Sequence, residues 1–245
     1  MVPMRVLLPI LGLVGVIWTI VTLPTFSVGT PARKIAERIL ANDRFKPPML
    51  NEIRARIETY PTSVLNRSDI SRARALIVLS VAEDAALKNT GERDHHRAAA
   101  DEKIRASLLL NPSDSFLWFV WYSLKMSVEG FDERSLRYLE FSYASAPLEA
   151  WIALRRNSVG LAVLPLVGEE ARQRILLEFA ALVDGGFHQA AAINLTGVGW
   201  SERVLLLSTL THVDIIAREA FARVLAREGV KVSVPGVQTD ERVWR

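Results

Sequence analysis

Residues Val6–Leu23, VLLPILGLVGVIWTIVTL, are an uncharged apolar stretch of membrane-spanning length, and the chain from Arg33 onward reads as amphipathic helix. Eighteen residues rising about 1.5 Å each give a helix of roughly 27 Å. The hydrocarbon core is about 30 Å thick, and no charge follows until Arg33, so the helix can extend far enough to span. Pro9 falls in its first turn, where a missing N–H costs little, and Pro24 suits its end. Two fates compete: retention as a signal anchor, or cleavage as a signal peptide after Gly29 in Ser27-Val28-Gly29. Retention is preferred because the run exceeds an ordinary signal-peptide core of about 7–15 residues and the Ala-x-Ala pattern is absent. A buried helix of the folded domain is disfavoured because the stretch has no polar face.

The side of the membrane is less constrained. Arg5 precedes the span, while Arg33, Lys34 and Arg38 follow it, which read literally holds the large domain in the cytoplasm. Long domains translocate largely regardless of such charge, and the short Arg-bearing N-terminus matches an export signal. The expectation is therefore a single-pass inner-membrane protein with a periplasmic helical domain, in contact with the bilayer through Val6–Leu23. With no cysteine, disulfides, thiolate metal ligands and cysteine catalysis are excluded. The formal charge is only +3, and 24 of the 30 basic residues are Arg interleaved with Asp and Glu. Without a nucleic-acid motif this predicts no nucleic-acid partner.

Helical spacing and punctuation divide the remainder. Pro24–Pro31 is a linker, and short helices are expected over Ala32–Leu40 and from Pro47-Pro48 to Tyr60. Further helices are expected from Asp69 or Ser71 to Ala86, from Asp94 to Leu110, from a Ser113 or Asp114 cap to Gly130, and from an Asp132 cap to Ala146. The next run from Leu148 to Leu164, from Glu169 to Val183, from His188 to Asn194, from Ser201 to Leu210, and from an Asp214 cap to Gly229. The tail VKVSVPGVQTDERVWR has weak β character and reads as an extended strap or a frayed end. The expected layout is 1–32 anchor and linker, 33–230 helical domain and 231–245 tail.

A repeat decides the fold class. Placing Asn111-Pro112 on Ala146-Pro147 shifts the chain by 35 residues, and Ala100, Ile104 and Ser107 then fall on Ser135, Leu139 and Ser142. Small residues let two helices approach, the large one fills the groove, and proline ends the second helix of a hairpin. Over Asp69–Leu164 this resembles the tetratricopeptide repeat (TPR) family, whose period is about 34 residues. Trp151-x-x-Leu154 stands where that family places its first-helix Trp and Leu, with Phe116-x-x-Phe119 one repeat earlier. Arg155 and Ser158 replace the family's next Gly and Tyr, and Val120 and Ser123 do so in the preceding repeat. The resemblance implies an all-α, TPR-like α-solenoid of helical hairpins that binds protein partners in or at the membrane. The layout, with SAPLEAWIALRRN and FARVLAREGVKVSVPGV, also resembles bacterial envelope proteins that accompany surface-polysaccharide assembly or secretion machinery.

Candidate partner-binding residues are Trp118, Trp151, Arg155 and Arg156. The aromatic run Phe116–Tyr122 reads first as core and second as a ligand platform. Arg155 stands at a helix-packing position and is expected to line a groove or to pair with Glu149 or Glu140. Adjacent His95 and His96 point about 100° apart on a helix, which opposes a shared metal, so no metal is expected. No nucleophile elbow, phosphate loop, dinucleotide fingerprint or zinc-protease motif occurs, so neither a catalytic residue nor a cofactor is assigned. A cytoplasmic-facing scaffold and a cryptic glycan-active hydrolase with a buried carboxylate stay open as alternatives, and the oligomeric state is left open.

Overall fold

The computed structural model describes residues 12–19, 55, 67–87, 91 and 93–238, and these contain helices, turns and no strand. Of the apolar stretch Val6–Leu23, residues 12–19 are helical and exposed. The rest of it, and the two short helices expected before residue 61, lie outside the described residues apart from the helical Ala55. No helix among the described residues is long and apolar enough to cross a membrane.

The chain divides into two compact units at Pro112 and Ser113, inside the expected 33–230 domain. In the first, α1 (Arg67–Leu87) packs along α2 (Arg93–Leu110). Ala73, Leu76 and Ile77 on α1 are buried, as are Ala100, Ile104 and Ser107 on α2, at the three-to-four-residue spacing of one helical face.

The second unit begins with α3 (Ser115–Glu129) and α4 (Glu133–Ser145), packed together and joined by three residues. Then follow α5 (Ala150–Ala162), α6 (Glu169–Asp184), α7 (His188–Thr196), α8 (Arg203–Thr209) and α9 (Ile215–Arg227). Asp132 and Asp214 cap as expected, and of Ser113 and Asp114 it is Asp114 that caps α3: Leu117 N–H donates to Asp114, Arg134 N–H to Asp132 and Ile216 N–H to Asp214, each using a donor that the first helical turn leaves unpaired. Gly130 closes α3 at φ +74°, a conformation open to a residue without Cβ. Helix α6 is central and touches α4, α5, α7, α8 and α9. Its apolar residues Ile175, Phe179, Leu182 and Val183 are all buried, and Phe179 meets Phe221 of α9 edge-on at 6.2 Å.

Two expectations are corrected. The helix expected from Leu148 to Leu164 spans only Ala150–Ala162, and a 3-10 turn follows at Leu164–Leu166. Pro165 cannot donate into the α-helical ladder, and it disfavours the helical conformation at Leu164. The tail through residue 238 forms no strand. Of the strap and the frayed end it takes the strap: Arg218 Nη1 donates to Pro235 O at 2.6 Å and Val234 is buried.

Candidate functional site

The aromatic run of α3 is split by its own helical turn. Phe116, Leu117, Phe119, Val120 and Tyr122 are buried, while Trp118 and Trp121, three residues apart, are half-buried on one side. There they meet Tyr138 and Phe141 of α4, also three apart. Trp121 stacks on Tyr138 at 4.3 Å between centroids, and Trp118 lies 4.9 Å from Phe141 and 5.5 Å from Trp121. These separations are in the favourable range for aromatic pairs. Phe141 is 48% exposed, and the Arg137 guanidinium stands 5.1 Å over the Tyr138 ring.

An open depression of about 200 Å³ borders this stack, lined by Lys125, Glu129, Asp132, Arg134, Arg137 and Tyr138 among others. Lys125 pairs with Glu129 at 3.1 Å and Arg134 with Asp132 at 2.9 Å. The hydrogen bond from the Arg134 side chain holds the Asp132 carboxyl below its usual range. Aromatic faces beside an ionic rim form a surface with both an apolar anchor and charge readout.

The other three candidates all lie on α5 or its face. Trp151 is 37% exposed, its indole N–H donates to Glu149 at 3.1 Å, and its ring packs 5.1 Å from Phe116. Arg155 is half-buried, with its guanidinium 5.9 Å from the centroids of both Phe116 and Trp151. Glu140 is engaged elsewhere and accepts from Gly168 N–H at 3.0 Å.

Arg156 stands apart from the other candidates because it is 0% exposed and its guanidinium is turned into the fold. Its Nε and Nη2 bond Glu178 Oε2 of α6 at 2.9 and 2.5 Å. Nη1 reaches Ser115 Oγ at 2.9 Å and Ser142 O at 2.7 Å, and Nη2 also reaches Ala146 O at 2.9 Å. The guanidinium lies 4.1 Å over the Tyr143 ring. One side chain thus ties α3, the C-terminal end of α4, α5 and α6, using the rigid donor fork that makes arginine suited to buried pairing. Burial pushes the Glu178 carboxyl up, against the opposing pull of Arg156, and burial with the Glu178 charge nearby raises the Tyr143 phenol well above its usual value. Neighbouring Asn157 continues the network, donating to Ile175 O and accepting from Asn194 of α7.

Tyr138, Phe141 and Glu178 were missed by the sequence reading. Tyr138 and Phe141 share the i, i+3 signature of Trp118 and Trp121, and Glu178 interrupts the apolar run ILLEFAALV, as a carboxylate with a buried partner would. His95 and His96 lie on α2 with ring centroids 5.9 Å apart, and no group of His, Asp and Glu able to hold a metal ion occurs among the described residues. Compared with protein-family models, curated proteins and solved structures, the chain matches none.

Proposed function

We infer that this chain is a membrane-anchored scaffold of the bacterial envelope that binds protein partners through a TPR-like array of helical hairpins, as an accessory of surface-polysaccharide assembly or secretion. The tether rests on the apolar stretch Val6–Leu23, and the solenoid rests on the 35-residue repeat. The observation that carries the binding role is the four-ring α3–α4 face, Trp118, Trp121, Tyr138 and Phe141, beside its charged depression. Tryptophan, tyrosine and arginine are the residues most enriched where protein interfaces concentrate their energy. The hydrolase alternative needs a carboxylate that substrate reaches, whereas Glu178 is 1% exposed and engaged by Arg156.

Crosslinking the full chain in native membranes tests the reading. Phe141→Glu changes an exposed ring, so the fold is expected to persist while the captured protein set falls at least about tenfold. An unchanged set would remove this face from the function. A C-terminal alkaline phosphatase fusion is expected to be active, because the domain faces the periplasm. An inactive fusion would favour the cytoplasmic-facing scaffold.

A further inference from the structure

We propose that the outer face of α5 is a two-fold interface on which a second copy of this chain docks. The inner face of α5, carrying Ile152, Ala153, Arg156, Asn157 and Gly160, is buried. Its outer face shows Trp151 and Leu154, three residues apart and both exposed, and Leu148 stands exposed just before the helix begins. Trp151 is a rigid anchor there, braced from behind by Phe116.

Leu148 adds an independent observation. It is the described non-glycine residue with positive φ, at +64°, and its side chain is 57% exposed. Glycine or asparagine occupies that conformation with less strain. A strained leucine whose side chain packs little within its own fold points to a use outside it.

Charge selects the occupant. Glu149 sits at one end of the stripe on the indole N–H, and Arg155, six residues on, folds back over the same ring with Nη1 3.4 Å from Trp151 O. The order carboxylate, indole, guanidinium is self-complementary under a two-fold rotation. Two antiparallel α5 helices therefore place Glu149 of each copy opposite Arg155 of the other, with the apolar side chains between them. Such self-complementarity is what an isologous contact requires. The face is only a few turns long, so association is expected at about 1–100 µM. These side chains differ from those of the α3–α4 ring stack, so the inference goes beyond the binding function and stands or falls separately from it.

The chain has no cysteine, so Ser201→Cys on the exposed turn before α8 supplies a single labelling site. Full-length protein in detergent, labelled as donor and acceptor pools, is mixed and read by energy transfer. Transfer is expected to rise with concentration and to be competed by unlabelled protein. Glu149→Arg and Arg155→Glu are each expected to weaken association at least about tenfold, by setting like charges opposite one another twice. The double variant restores it to within about threefold, because both contacts are re-formed with reversed sign. Leu148→Gly is expected to weaken association while its thermal midpoint stays at or above that of the parent, which separates interface loss from unfolding. The proposal is overturned by absence of transfer at about 100 µM, by a double reversal that fails to restore it, or by transfer that survives Trp151→Ala and both single reversals. A chain that remains monomeric while α5 variants lose a foreign partner would also overturn it.

Discussion

Glu178→Ala is expected to destabilise the second unit by about 3–5 kcal/mol, enough to bring a domain of ordinary stability close to unfolding. The cost does not come from the ion pair as such, since two ions withdrawn from water recover little net energy from each other. It comes from what stays behind. Arg156 would keep a full charge at 0% exposure, with no carboxylate and only neutral acceptors around it: Ser115 Oγ, Ser142 Oγ and the Ser142 and Ala146 carbonyls. Urea unfolding of the full chain reads this as a lower midpoint at unchanged slope. Arg156→Met combined with Glu178→Met is expected to recover part of the loss, because no charge is then stranded. Recovery stays incomplete, since the Ala146 carbonyl loses its Arg156 donor, whereas Ser142 O keeps the Ser115 hydroxyl. A shift below about 1 kcal/mol in the single variant would show that these helices are held by other contacts.

Gly160→Ala is the second large effect, and it runs against helix propensity. Alanine in an exposed helix interior gains about 0.8–1.0 kcal/mol over glycine. At this position an added Cβ would lie 2.5 Å from the Tyr143 hydroxyl oxygen and 3.1 Å from Ile175 Cγ1. Tyr143 is buried with its ring beneath the Arg156 guanidinium, so it has little freedom to yield. Overpacking of this kind typically costs about 1–3 kcal/mol, and the net expectation is a loss of about 1–2 kcal/mol. Tyr143→Phe removes the atom that would be struck. The double variant should therefore be more stable than the sum of its singles by about 1 kcal/mol. A Gly160→Ala protein more stable than its parent would mean that the close approach to Tyr143 is not needed.

Much of the helical layout was legible because its signals are local. Asp114, Asp132 and Asp214 cap where a short acceptor before an apolar run must cap, and Gly130 stops α3 because a left-handed exit favours glycine. The end of α5 moved back because Pro165 imposed its own geometry, and other ends shifted by a residue or two. The repeat positions Ala100, Ile104 and Ser107, and Ser135, Leu139 and Ser142, are all buried, as small-large-small spacing on a packed face requires. The site was less legible. Helical spacing puts Trp118, Trp121 and Tyr122 on one side of α3, whereas Tyr122 is buried and only the two tryptophans meet Tyr138 and Phe141 of the next helix, because that depends on how α3 and α4 pack.

Helix α5 shows the division most clearly. Its sequence carries two competing stripes: Trp151 and Leu154 on one side, and Ile152, Ala153, Arg156, Asn157 and Gly160 on the other. The first is the more hydrophobic, so residue chemistry alone favours burying it and leaving the arginines outside. The sequence by itself determined the helical character of the described residues and the ends of most of their helices, and it shows the uncharged apolar run Val6–Leu23. Only the tertiary structure decided which side of α5 turns inward, sending Arg156 into the core and leaving Arg155 at Trp151. The reason is physical. A buried guanidinium is tolerated only where acceptors converge on it, and Ser115, Ser142, Ala146 and Glu178 come from four segments that folding alone brings together.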